Sequence, residues 1–539
     1  MIFRNRGLLI VVFAAALICS SAVVAASVTD VYIAQTVAGA GNGSSCANAY
    51  AYTFFSTSRN WGSGSNQIGP GTTVHLCGTF TGAAGATLLT AQGSGASGTP
   101  VTILFETGAM MTAPYWANAI TIDGLSNVVI DGGVPCGAVQ GGQVSSNTCN
   151  GVIKNTANGT GLAYHANSNF ISASSCNSCE IRNLALINNY VHTQCEGNSG
   201  CDTAAGTVEN SAIGFSGSNV KIHDNLIHDA SWAVNDQANA SDVNVSFYNN
   251  NVYNVAHGLA LYGGNTWAGP VFFYNNRVHD YQNWDTGNAD AYHADGIHAF
   301  GMNLAVIYIY NNFFQTSNQC CITAHVFLEG GATWTTNGTY YIFNNVFLQP
   351  SGAVNGLLQP YIGNSNSIIY NNTIVTADSV NSLALGPSGT HIKIINNVVT
   401  SAGFLNLLNG GGGTTFANPA TDMDYQAYGN CSGYNCWEWN NIDTGSFSTW
   451  ASQCSGCDTH SSYSASLALN ADGSPSSQST MIIGKGKNLT SLCSGNLTAL
   501  CSDILGNPRP ASGSWDSGAY AYNSGPPPSP PTGLTATPE

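Results

Sequence analysis

The sequence predicts an all-β solenoid, a parallel β-helix with irregular terminal caps, on three observations. First, a short pattern recurs from residue 220 onward: VKIHDNLIHD, VSFYNNNVYN, VFFYNNRVHD, VIYIYNNFFQ, YYIFNNVFLQ, SIIYNNTIV and IKIINNVVT. Each copy is an alternating β-branched and aromatic run, an asparagine at a fixed place, and a second apolar pair. Second, the asparagines Asn225, Asn250, Asn276, Asn312, Asn345, Asn372 and Asn397 follow one another at spacings of 25, 26, 36, 33, 27 and 25 residues. Units this short cannot bury a core alone and must stack. Third, helix-periodic segments are nearly absent. An asparagine between two short strands bonds to the local backbone, tolerates left-handed geometry, and can stack on its equivalent in the next coil. A β-sandwich explains the pattern less well, because hairpin turns do not require one residue at one place in seven successive units.

In chain order, MIFRNR followed by LLIVVFAAALICSSAVV and AAS reads as a secretory signal over residues 1–26. Residues 27–115, rich in Gly, Ser and Ala, are expected to form an N-terminal cap and the first coils. The β-helix core is placed at 116–410, with ITIDGLSNVVIDGG and CEIRNLALINNYV as less regular early coils. Residues 411–523 depart from the repeat and carry WEW, local cysteines and SDILGNPRPASGSWDSGAYAY, which suits terminal coils and a cap over the last open strand edges. Residues 524–539, PPPSPPTGLTATPE after the glycine, read as a proline-rich linker or tail that could lead to a further C-terminal module.

Charge and cysteine content narrow the setting. Once the signal is removed, nine Lys and Arg stand against 27 Asp and Glu. Such a surface repels nucleic acid and anionic membranes, and it repels acidic polysaccharides unless a cation or a local arginine compensates. No later stretch is apolar enough for membrane insertion. The chain has 17 cysteines, and 16 remain after Cys19 leaves with the signal. An even number in an exported protein argues for disulfides, with Cys176/Cys179, Cys195/Cys201, Cys431/Cys436, Cys454/Cys457 and Cys493/Cys501 as local loop staples. The stretch CSGCDTH offers zinc ligands in principle, but an oxidising compartment favours a disulfide there. Adjacent Cys320 and Cys321 fit either a vicinal bond or two separate partners.

The asparagine-marked coils together with DILGNPRP and WDSGAY resemble the secreted right-handed parallel β-helix proteins of the pectate-lyase-like superfamily, over roughly residues 110–523. The resemblance implies a right-handed coil and an extracellular poly- or oligosaccharide as partner. It does not select among the lyases, hydrolases, epimerases, adhesins and phage spikes of that superfamily.

The segment NADAYHADGIHAFG, residues 288–301, holds two aspartates and two histidines within Asp290 to His298. It sits in the longest interval between ladder asparagines, and extra length in a solenoid emerges as a loop on one face. Aligning HGLALYGG, DGIHAFG and TAHVFLEGG by their glycines puts Leu259, Ile297 and Val326 in one inward column, and Leu261, Ala299 and Leu328 in another. Simple alternation then turns Ala260, His298 and Phe327 outward, with Tyr262, Phe300 and Glu329 beside them. His257 falls level with Asp295, and His325 is expected on the same outward face. The 285–295 loop adds Asp285, Asp290 and His293.

Two chemistries suit such a face. Glycoside hydrolysis needs a proton-donating carboxyl and a second carboxylate. Asp295 and Glu329 are the expected pair, Asp290 the substitute, and His298 the group that tunes protonation; no cofactor is required. HADGIHAFG is similar to the N-T-D-G stretch of polygalacturonase-type hydrolases, with Asp295 at the first aspartate. The second motif's aspartates fall on Gln319 and Cys320, which implies a second acid from elsewhere. A polysaccharide lyase is the alternative, with calcium on Asp285, Asp290 and Asp295 and with His298 or Arg277 as base. The acidic surface favours a neutral or weakly charged glycan, met by His257, Tyr262, Trp267, Trp284, Tyr292, His293 and His325, with Trp232 close by. A third reading is a non-catalytic glycan-binding or cell-surface solenoid.

Overall fold

The computed structural model describes residues 27–137, 139–144, 148–157, 168–189, 211–238, 242–263, 270–280, 294–300, 306–316, 322–328, 339–349, 354–356, 366–376, 384–385, 392–400, 406–408, 418–431, 435–439 and 442–522. Their strands form a right-handed parallel β-helix. A 14-stranded sheet takes one strand from each successive coil, and a 20-stranded sheet gathers the other two sides of the coil. Almost all pairings are parallel, with i-to-i register from coil to coil, as in Val271↔Ile307↔Tyr340. Two exceptions are the hairpin Val139–Gln140 with Gln143–Val144 and the pair Trp437–Trp439 with Ile442–Thr444.

The interior is one continuous column of Ile, Val, Leu and Phe, from Val31 to Trp450. Each fully buried side chain of this kind contributes about 1.5–3 kcal/mol. Rings stack in register inside it, Phe247 on Phe273 at 5.0 Å and Phe314 on Phe347 at 5.1 Å.

The asparagine ladder is continuous. Asn225 donates through Nδ2 to Oδ1 of Asn250 at 3.0 Å, and the same bond joins 250 to 276, 276 to 312, 312 to 345, 345 to 372 and 372 to 397 at 3.0–3.1 Å. Gln426 ends the column, its Oε1 accepting from Asn397 at 3.1 Å. Each Oδ1 also accepts the backbone N–H of the rung before it, and each Nδ2 also reaches a carbonyl one coil back, as from Asn312 to Phe273. Where the sequence reading assigned stacking and left-handed geometry to one asparagine, the structure divides them. Left-handed φ belongs to the preceding residue, from Asp224 (54°) through Asn249, Asn275, Asn311 and Asn344 (all 55°) to Asn371 and Asn396.

The last coil is covered by Trp437 and Trp450, both fully buried beside Tyr428. The DILGNPRP and WDSGAY segment does something else. It runs back along the outside of the 14-stranded sheet, where Leu489, Leu500 and Trp515 pack on Tyr308, Phe343, Tyr370 and Ile395. Buried Arg509 anchors it, donating to Asn344 Oδ1 at 3.1 Å and to the Gly518 carbonyl at 2.9 Å. Disulfides close 46–77, 136–149, 176–179, 431–436, 454–457 and 493–501. The Cys454–Cys457 bridge removes the zinc alternative for CSGCDTH, whose His460 pairs instead with Asp424 at 2.6 Å. Cys195, Cys201, Cys320 and Cys321 lie outside the described residues.

Candidate active site

Four successive strands carry the site: β1 (Leu226–Ala238), β2 (Asn251–Gly263), β3 (Ala294–Phe300) and β4 (Ile322–Leu328). Their register is the one the glycine alignment predicts. Leu259 pairs with Ile297 and Ile297 with Val326; Ala260, His298 and Phe327 form the next row; His257 lies level with Asp295.

Alternation fails at one point, and that failure builds the site. Ala294, Ile297 and Ala299 all belong to the core. Gly296 also faces inward: a Cβ there would lie 2.9 Å from the Phe314 ring and 2.5 Å from the His325 carbonyl. Gly258 repeats this one coil earlier, 2.4 Å from the Gly296 carbonyl and 2.9 Å from Val278. Two consecutive inward positions make a bend, which leaves the residues on either side of it, Asp295 and His298, on the same outer face. Glycine fits because the neighbouring strand and core leave no room for a side chain.

On that face Asp295 Oδ2 lies 3.8 Å from His257 Nε2 and 3.7 Å from His298 Nδ1. Its Oδ1 accepts the Ala324 N–H at 2.9 Å. The carboxylate is fully buried, His257 nearly so, and the His298 side chain retains 15 % of its exposure. The rings continue the row: Trp232 to His257 at 5.2 Å, His257 stacked on His298 at 5.5 Å, His298 to Phe327 at 5.1 Å. One acid thus sits between two imidazoles at the base of an aromatic-walled row, and of the three side chains His298 keeps the most exposed surface, although its Nε2 is buried. One oxygen and two nitrogens lie within 4.8 Å of one another. Among the described residues, that donor set is closer to what a transition metal takes than to the six to eight oxygens of a calcium site.

The remaining expected residues divide. His325 is corrected: it occupies the inward position of the bend that Gly258 and Gly296 hold in the earlier coils, fully buried near Phe314 (6.0 Å) and Phe347 (5.7 Å). Burial pushes its imidazole down to about 3, so it is neutral. The error came from carrying strict alternation across the bend. Arg277 is also placed elsewhere, donating to the Gly142 carbonyl at 2.6 Å and to Gln315 at 3.0 Å, with its guanidinium over Phe313. Asp285, Asp290, Glu329, Trp267, Trp284, Tyr292 and His293, and the side chain of Tyr262, lie outside the described residues. The calcium set is therefore represented by Asp295 alone. The Ala324 N–H that holds the acid was not anticipated. The repeated His-Gly and Asp-Gly at 257–258 and 295–296 was the available signal.

No family model matches this sequence, and no curated protein matches it. Among solved structures, the chain is similar to pectate lyase Pel9A (12 % identity, 92 % of this chain and 98 % of the other, TM-score 0.38). It is also similar to a rhamnogalacturonan lyase (11 %, 80 % and 99 %, TM-score 0.39) and to XylC in complex with xylose (10 %, 91 % and 98 %, TM-score 0.41). Likenesses of this size carry no argument about chemistry; the fold stands on its own register and the site on its own geometry.

Proposed function

We propose that the protein is a carbohydrate-active enzyme that cleaves an extracellular polysaccharide by β-elimination, with His298 as the base. The observation that supports this reading is the burial of Asp295. A carboxylate with no exposed surface, one oxygen held by a backbone N–H and the other between two imidazoles, cannot reach a glycosidic oxygen or an anomeric carbon. It can orient His298, whose Nδ1 lies 3.7 Å from its Oδ2. In the elimination, His298 takes the proton from the carbon next to a uronate carboxylate. The electron pair forms a carbon–carbon double bond, the bond to the glycosidic oxygen breaks, that oxygen takes a proton from solvent water to leave as a hydroxyl, and His298 returns its proton to the solvent.

The acidic surface, at a net charge of −16 for the whole chain, opposes a fully charged polyuronate. The substrate class that fits both facts is a weakly charged glycan whose uronates are spaced by neutral sugars. Hydrolysis of a neutral glycan is the second reading, favoured by that same charge; it needs Glu329 or Asp290 as the acting acid. Product analysis on a mixed-composition glycan separates them: a lyase leaves an unsaturated uronate that absorbs in the ultraviolet, a hydrolase a saturated reducing end. No helix among the described residues is long and apolar enough to cross a membrane.

A further inference from the structure

We propose that a second carbohydrate-binding groove lies on a different side of the coil, floored by Asn249, Asn275 and Asn311 and fitted to an extended neutral oligosaccharide running along the solenoid axis. These residues are the left-handed partners of the ladder, one per coil, and their column continues into Asn344, Asn371 and Asn396. In the C-terminal half of the column every amide is used by the chain itself. Asn344 donates to the Ala499 and Ser502 carbonyls and accepts from Arg509, Asn371 donates to the Asp516 and Gly518 carbonyls, and Asn396 exchanges bonds with Lys487. In the central half, no side-chain hydrogen bond joins Asn249, Asn275 or Asn311 to another described residue, and Asn311 Oδ1 is buried without a partner. These three line a groove of about 430 Å³.

The walls are built. On one side stands the hairpin at 139–144, closed at its base by Cys136–Cys149 and fastened to the coil by Arg277 through the Gly142 carbonyl. The returning C-terminal segment at Ile504, Leu505 and Gly506 completes the wall and meets the hairpin at Gly141, where a Cβ would lie 2.4 Å from Leu505 Cδ2; Leu505 remains 42 % exposed. Immediately before each asparagine in the chain comes a tyrosine of the stack Tyr248–Tyr274–Tyr310, spaced 4.8 and 4.9 Å. The ring faces cover one another, so this flank offers edges and hydroxyls.

The period identifies the occupant. Amides repeat once per coil, about every 4.8 Å, close to the rise of one sugar in an extended glycan. A polypeptide strand advances about 3.3 Å per residue and falls out of step. The protein's own covering of the column reflects this, since its partners come from three separate stretches near 487, 499–509 and 516–518. Each amide supplies donors and an acceptor, matching hydroxyls that do both. None of the described lining residues is charged, and Asp224 stands one coil before Asn249 in the same column, a setting that suits a neutral ligand better than an anion. The proposal is independent of the cleavage chemistry at His298.

Glycine accepts the left-handed backbone at all three positions, and the ladder asparagines stay intact, so Asn249→Gly/Asn275→Gly/Asn311→Gly keeps the fold while emptying the floor. Calorimetric titration with cellohexaose, xylohexaose and mannohexaose, in a His298→Ala background to prevent turnover, is expected to find binding of at least one. The triple variant should weaken it on the order of a hundredfold, about fivefold per amide, with an unchanged melting curve. Equal affinity in the triple variant, no binding by any hexasaccharide, or groove-dependent binding of a peptide with the sequence of residues 524–539 in their place would each overturn the proposal.

Discussion

The ladder turn and the glycine bend are corners of the same coil, and they use polar side chains in opposite ways. At the ladder, buried amides bond to identical amides above and below, so each coil repeats the last from Asn225 to Gln426. At the bend only the inward glycine repeats, and only once, while the outer column changes at every coil. The inward column reads Gly258, Gly296, His325 and the outer one Trp232, His257, Asp295, Ala324. Repetition satisfies every donor and acceptor and yields stability. Variation places unlike groups 3.7–3.8 Å apart.

Breaking the ladder should have the largest effect. Asn312 accepts from the Asn276 backbone N–H and Nδ2, and donates to Phe273 and Asn345. Asn312→Ala leaves several buried groups without partners and should cost about 3–5 kcal/mol, read by denaturant titration. Next comes the bend itself. Gly296→Ala forces a methyl against the His325 carbonyl and the Phe314 ring. It should cost about 2 kcal/mol and, by shifting Asp295 relative to His298, reduce turnover more than that loss of stability accounts for.

A smaller effect separates the bend from the ladder by pH. His325 is neutral in the fold, held down to about 3 against an ordinary 6.5. The unfolded chain therefore binds this proton more readily. Stability is full above pH 6.5 and falls as pH drops toward 3, by about 1 kcal/mol per unit. His325→Leu should flatten that slope in melting curves taken between pH 4 and 7; an unchanged slope contradicts the burial argument. The smallest effect belongs to an exposed rung. Asn244 donates to Asn219 at 3.1 Å in contact with solvent and has φ of 58°. Asn244→Gly should change stability by less than about 0.5 kcal/mol.

How much of this was legible follows from the same contrast. The ladder could be read because each asparagine obeys one constraint seven times, and the inward columns because the glycines of three adjacent coils fix their alignment. The fold class and the level pairing of His257 with Asp295 came from that regularity. His325 was misplaced because alternation assumes a straight strand, and nothing in TAHVFLEGG marks the bend that Gly258 and Gly296 reveal one and two coils earlier. The partner of Arg277 was invisible because the Gly142 carbonyl lies 135 residues away along the chain. The returning C-terminal segment was expected as an end cap, since its contacts with Asn344 and Asn371, about 150 residues back, leave no local trace.

The central claim is that His298, held by a buried Asp295, is the group that moves the proton. The most direct test compares wild type with His298→Ala on a glycan containing spaced uronates, measuring the ultraviolet absorbance of unsaturated products alongside a melting curve. The account predicts unsaturated products from the wild type and a fall in their rate of about 10²–10⁴-fold in the variant, with the fold unchanged. Full turnover by the variant, or products with saturated ends only, would contradict it.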